Sequence, residues 1–363
     1  MAVIREVIAV MSSLSVGYIR NPLADWFWFI LLPPLAIGFA LLSEAWLSFV
    51  ALASVNLWIT VPHHFGTWCR TYGLREDWQR FRSRVVIGPI VIVLAVLSGL
   101  VWAPLTIFLV TMLWDHQHSV MQQHGLARIY DFKAQAGGPQ TGKLDLWLNI
   151  VLFVNHLVTV PLWTEIWVQQ CYTWRLPIDA PTVQMIQAFS YLGTGCFVIY
   201  YLLQLSQAIK SGYKVNPMKY AFLLSSYALW YYAGWHTDSI LVYGVAHRIM
   251  HGLQYLVIVY WFLERKHATS STKPWMLPKL NVWFFAIVGL AYSLAFQLLL
   301  LKPLSDFGFG LPLLPASPST DAIAINRSYE IYAATLIAST ALIHYYFDSF
   351  IWKIRDEKTQ QGL

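Results

Sequence analysis

The chain has 363 residues, 57% hydrophobic and 12% charged, with a formal net charge of +6. Charge is roughly half the ~25% usual in a soluble domain, and a soluble core of this length could not hide so much apolar surface. An ordinary soluble protein is therefore excluded. The basic balance does not point to nucleic acid either, because the Lys and Arg residues fall in short loops between apolar runs, where anionic lipid headgroups explain them.

In chain order, no cleavable signal pattern opens the sequence. Val3, Ile4, Val7, Ile8 and Met11 recur at helical spacing between Arg5 and Arg20, so residues 1–20 are expected to hold a short interfacial helix. Apolar runs then follow near 25–43, 45–62, 85–103, 104–124, 146–168, 182–205, 217–236, 240–262, 282–302 and 329–352. Most approach or exceed the ~18 apolar residues that mark a membrane span. The predicted fold is all-α: a polytopic transmembrane helical bundle of about ten spans, forming a single domain over 1–363. Tight joints near Glu44, Ala103 and Asp238 imply hairpins. Pro312, Pro315 and Pro318 argue against a helix in 303–328. Gly137 to Lys143 imitates a phosphate-binding loop, but Leu144 replaces the required hydroxyl residue and no strand precedes it, so a flexible turn is expected.

Basic residues orient the bundle. With both termini cytoplasmic, only Arg175, Lys302 and Arg327 of the 24 Lys and Arg lie outside, with Arg248 inside a span. That asymmetry is the one the positive-inside rule demands. The predicted localisation is an integral multi-pass membrane protein, in the inner membrane if the source is bacterial. Cys69, Cys171 and Cys196 form neither a CxxC motif nor a disulfide framework.

Histidine is the residue out of place. Most of the 11 histidines fall inside or at the ends of predicted spans, where an ionisable group costs a few kcal/mol and normally faces a protein interior. One buried imidazole can be a satisfied core residue; so many call for a common purpose, and neutral imidazole binds iron, zinc or copper. His247 and His251 lie one turn apart on one helical face and are expected to serve one metal centre. The end of the fourth span carries Asp115, His116, His118, Gln122 and His124. His116 and His118 diverge by about 200° around a helix, so one should ligate and the other support, or each should serve a different ion. His63 and His64 close the second span, His156 lies in the fifth, and His344 is followed one turn later by Asp348. The candidate metal ligands are thus His63, His64, His116, His118, His124, His156, His247, His251, His344 and Asp348. His236 and His267 fall near the outer surface and in a cytoplasmic loop, and are excluded.

This distribution resembles the histidine-rich integral-membrane di-iron oxygenases and desaturases. Their resemblance implies two irons held by imidazoles at cytoplasmic helix ends and used to activate dioxygen. Of their usual histidine boxes, only HxxxH at His247 and His251 is present. Three patches are also similar to the bacteriorhodopsin-related membrane β-carotene dioxygenase family: His64-Phe65-Gly66, the His247/His251 pair, and His344 with Asp348. Cys69 stands where that family has an aspartate, and its early Pro-His-Gly motif is missing.

The expected function is a membrane-embedded non-haem metalloenzyme, with two iron ions, oxidising a hydrophobic substrate that enters from the lipid bilayer. Zinc and copper remain compatible with the ligands, and an electron-donor protein is an expected partner. Two other classes stay open. A haem-binding membrane cytochrome would use pairs of histidines as axial ligands. A histidine-lined transporter would relay protons or metal ions.

Overall fold

A computed structural model describes residues 13–46, 49–269, 281–299 and 327–363. Every regular element among these residues is a helix. They are α1 (Pro22–Glu44), α2 (Phe49–Tyr72), α3 (Arg75–Trp102), α4 (Pro104–Lys133), α5 (Pro139–Thr159), α6 (Pro161–Thr173), α7 (Ala180–Lys210), α8 (Pro217–His236), α9 (Ile240–Thr269), α10 (Val282–Leu299), α11 (Arg327–Ile351) and α12 (Glu357–Gln360). Residues 1–12 of the expected interfacial helix over 1–20, and nearly all of the 303–328 loop, lie outside the described residues, while 14–20 are not helical.

Local chemistry sets the helix starts. Proline stands in the first turn of α1, α5, α6, α7 and α8, where its missing N–H has no helical partner to lose. Asn21, Asp179 and Asn216 cap α1, α7 and α8 by accepting from backbone N–H groups of the first turn. Gly137, at φ +86°, turns the chain into α5, so the imitation phosphate loop is a turn that runs into a helix.

One expected span is broken. The sequence reading placed a single helix at 146–168; instead α5 and α6 meet at a 70° bend. Pro161 is the cause, since it holds Val160 in an extended conformation (φ −76°, ψ 131°) that ends α5. The membrane-span count is met in part. α1, α3, α7 and α10 are each long and apolar enough to cross a membrane, and the bent α5–α6 pair passes together. The other five expected spans correspond to α2, α4, α8, α9 and α11. Four of these carry the candidate ligands His63, His118, His251 and His344, polar positions that lower their mean hydropathy.

The chain divides into two compact units, Met1–Ala45 with Val120–Met250, and Trp46–Ser119 with His251–Leu363. In the first, α8 packs against α1, α5 and α6, and α5 lies along α7. In the second, α3 lies along α11, while α2 contacts α3, α10 and α11. Gly88 permits the close approach of α3 to α11: a Cβ there would meet the Tyr346 ring at 2.4 Å. The cytoplasmic end predicted for the second unit is fastened by buried Arg70. It pairs with Asp77, donates to the Ile351 carbonyl at 3.1 Å and lies 4.0 Å from the Phe262 ring centroid.

Candidate metal centre

Four histidines of the second unit converge: His63 from α2, His118 from α4, His251 from α9 and His344 from α11. One ligand nitrogen from each lies within 4.8 Å of those of all the others. Their side chains are almost wholly enclosed, with exposures of 1%, 5%, 0% and 0% respectively.

Glycine lets the helices come this close. Gly252 follows His251 directly; a Cβ on it would lie 2.9 Å from Ile59 Cγ2 and 3.6 Å from His63 Nδ1. The His63 and His251 ring centroids are consequently 4.7 Å apart, and His63 lies 4.4 Å from His344.

Two distances bear on metal binding. His344 Nε2 and His118 Nε2 are 3.1 Å apart. Two lone-pair nitrogens at that separation repel unless a proton or a cation lies between them. Nitrogens each about 2.0–2.1 Å from a shared ion would be roughly 2.9–3.4 Å apart at right-angled to tetrahedral geometry. Second, neither ring nitrogen of His63 has a hydrogen-bond partner among the described residues. A buried polar atom without a partner is costly, and a bound cation would satisfy it. Protonating all four rings instead would stack like charges a few ångströms apart. The residues present therefore fit a metal ion.

A hydrogen-bonded chain surrounds the cluster. Thr67 Oγ1 lies 2.6 Å from His344 Nδ1 and 2.6 Å from the Tyr255 hydroxyl, which donates to Asp348 Oδ1 at 2.7 Å. With the proton on His344 Nδ1, each donor finds an acceptor: His344 gives to Thr67, Thr67 to Tyr255, and Tyr255 to Asp348. That tautomer leaves the Nε2 lone pair for a metal and raises the basicity of the ring. On the other side the Tyr345 ring stacks on His118 with centroids 4.7 Å apart, and its hydroxyl donates to Asp115 Oδ1 at 2.7 Å.

The other sequence candidates fall elsewhere. His64 borders the cluster, its ring 5.0 Å from that of His344, but is not one of the four. Asp348 carboxylate oxygens are 3.9 Å from both His118 Nε2 and His344 Nδ1, so it acts through Tyr255 and Thr67 in this arrangement. His116 is half-buried and outside the cluster, as helical divergence from His118 requires. His124, His156 and His247 belong to the first unit. There His247 Nδ1 accepts from Trp230 Nε1 at 2.8 Å, and His156 Nε2 lies 3.2 Å from the Trp230 carbonyl. The pair at His247 and His251 is therefore divided between a tryptophan contact and the four-histidine cluster.

Sequence reasoning passed over Thr67 and Tyr255. Each stands one turn after a cluster histidine, at His63 + 4 and His251 + 4, the same spacing that links His344 to Asp348. It also passed over the polar centre of the first unit, where buried Lys219 lies 3.0 Å from an Asp145 oxygen and 3.2 Å from an Asp131 oxygen, with Arg128 2.7 Å from Asp131. Asp131 lies beyond the expected span 104–124; burial raises its carboxyl pKa and Lys219 opposes the rise. No protein-family model, curated protein or solved structure matches the chain.

Proposed function

We propose that this chain is a membrane-embedded non-haem metalloenzyme that oxidises an apolar, lipid-soluble substrate with dioxygen, using iron held by His63, His118, His251 and His344. The observation that carries the reading is the mutual 4.8 Å approach of four buried imidazole nitrogens on four helices. A bound iron would supply dioxygen activation, which is the chemistry that neutral imidazoles in an enclosed site suit. The chain's own residues do the rest. Thr67 and Tyr255 hold the His344 tautomer, Tyr345 fixes the His118 ring, and the surrounding aromatic and apolar side chains exclude water.

Compactness favours one ion in this set. A second ion, expected at the sequence level, would have to draw on His64 and Asp348, which border the cluster. The same compactness counts against haem, because axial imidazoles must stand on opposite faces of a macrocycle, whereas these rings pack at centroid separations of 4.4–6.2 Å on several sides. A ten-span fold with cytoplasmic termini is part of this proposal, and an electron-donor protein at the cytoplasmic face is its expected partner.

The test is metal analysis of the detergent-purified chain together with its optical spectrum. One iron per chain without a Soret band is expected. A Soret band, or a metal-free chain that cannot be loaded with iron, would remove the proposal.

A further inference from the structure

Away from the histidines, the second unit holds a cavity of about 870 Å3 built from two short stretches, 79–84 at the start of α3 and 350–358 after α11. Arg80, Arg82, Arg84, Lys353, Arg355 and Lys358 line it, against the two carboxylates of Asp356 and Glu357. Arg80 is paired with Asp356. Among the described residues no ion pair holds Arg82, Arg84 or Lys353, and all three are exposed. Arg84 stays at the cavity wall by lying over the Phe350 ring, 5.5 Å from its centroid. A concave surface with this excess of cations attracts an anion, and guanidinium groups match the oxygens of phosphate.

The same helix says what the phosphate is attached to. Arg84, Ile87, Val91 and Leu94 follow one another at helical spacing along one face of α3, and the three apolar residues are exposed. The apolar window of α3 has a mean hydropathy of 2.7, and only 11% of it is buried by the rest of the chain. At about 1.5 Å rise per residue, Ile87 begins roughly one turn above Arg84. A cationic cavity that opens onto an uncovered apolar stripe has the two-part chemistry of a phospholipid. We infer that the cavity binds the headgroup phosphate of an anionic phospholipid whose acyl chains lie along Ile87, Val91 and Leu94. A zwitterionic lipid would bring its own ammonium group against the arginines and bind less well. This inference rests on the membrane reading of α3 and is independent of the metal.

The detergent-purified full-length chain is titrated, under native mass spectrometry, with phosphatidylglycerol and with phosphatidylcholine of the same acyl chains. Phosphatidylglycerol should bind at about tenfold lower concentration or better, and the preference should vanish in the R82Q/R84Q/K353Q/R355Q variant. Glycerol phosphate, the headgroup without chains, should fail to compete at equal concentration, and so should a polyglutamate peptide. Equal binding of the two lipids, or a preference that survives in the variant, overturns the inference. Effective competition by glycerol phosphate makes this a soluble-phosphate site, and competition by the peptide makes it a protein-docking site; either result also overturns it. The helical circular-dichroism signal and a single size-exclusion peak of the same variant report whether it has folded. If it has not, the wild-type lipid preference alone decides. A wild-type chain that stays dispersed without detergent would instead defeat the membrane reading, which is a separate outcome from losing lipid preference.

Discussion

Three histidines of the cluster have, one turn later on their own helices, a residue of the hydrogen-bonded chain: Thr67 after His63, Tyr255 after His251 and Asp348 after His344. Thr67 is the link whose removal is most informative, because it touches His344 and carries no charge. Thr67→Val should lower metal affinity about 10–100-fold, and Thr67→Ser should restore it; bound iron after dialysis reads both. His116→Ala and His247→Ala should keep wild-type iron content, since neither side chain is among the four, whereas His63→Ala should lose most of it. An iron loss in His247→Ala equal to that in His63→Ala would break the four-histidine assignment. The presence of histidines where they are expensive was legible in the sequence, and the four that converge were among the ten candidates. Which ones converge was not legible, because helix rotation depends on packing partners far along the chain. Burial also makes the first unit's ion pairs sensitive to single changes. Lys219→Ala leaves the Asp131 and Asp145 carboxylates facing each other without their lysine, and should cost about 3–5 kcal/mol in detergent unfolding.

At the four-histidine cluster the helices meet at a small residue, a contact that joins helices in lipid, where apolar attraction between them is weak. Gly252 lies where α9 meets α2, between His251 on its own helix and His63 on the other. Gly252→Leu should therefore push the two helices apart, destabilise by about 1–3 kcal/mol and reduce bound iron. Gly195→Leu, at a position with nothing within 4 Å of its Cβ, is the control and should change neither unfolding temperature nor iron. Comparable losses in both variants would mean that the glycine contact does not position the site. Helix existence was readable from apolar runs, but not every limit: α2 ends at Tyr72, α3 starts at Arg75 and α4 ends at Lys133, about ten residues outside the apolar runs 45–62, 85–103 and 104–124. The bend between α5 and α6 was not read from Val160-Pro161, because the stretch 146–168 is apolar enough on both sides of Pro161 to pass as one span. Hydropathy follows side-chain composition, while the bend follows the extended backbone that Pro161 imposes on Val160.

Across the whole molecule the apolarity that marks a span and the polarity that builds the site compete for the same helices. Five expected spans fall short of the apolarity of α1, α3, α7 and α10, and α2, α4, α9 and α11 among them supply the four clustered histidines. A helix can be polar on its inward face and still cross a bilayer, since only its lipid-facing side must be apolar. The ten-span count therefore depends on whether such helices cross, and α2 is the first in order. If α1 and α2 both cross from a cytoplasmic N-terminus, Gln79 is cytoplasmic, in keeping with the arginines around it. If α2 does not cross, Gln79 is outside. Ser317 lies beyond α10 and Lys273 before it, so the pair brackets a helix whose mean hydropathy is 1.9 over the 18 residues Val282–Leu299. Single cysteines introduced as Gln79→Cys, Lys273→Cys and Ser317→Cys are tested with a membrane-impermeant maleimide, after serine replaces half-buried Cys171 and exposed Cys196. Ser317→Cys should label on intact cells, while Gln79→Cys and Lys273→Cys should label only after permeabilisation. Labelling of Gln79→Cys from outside would mean that α2 stays on one side of the membrane. In that case His63 would reach the metal centre from a helix that does not span, and the ten-span bundle would have to be abandoned while the four-histidine site could stand.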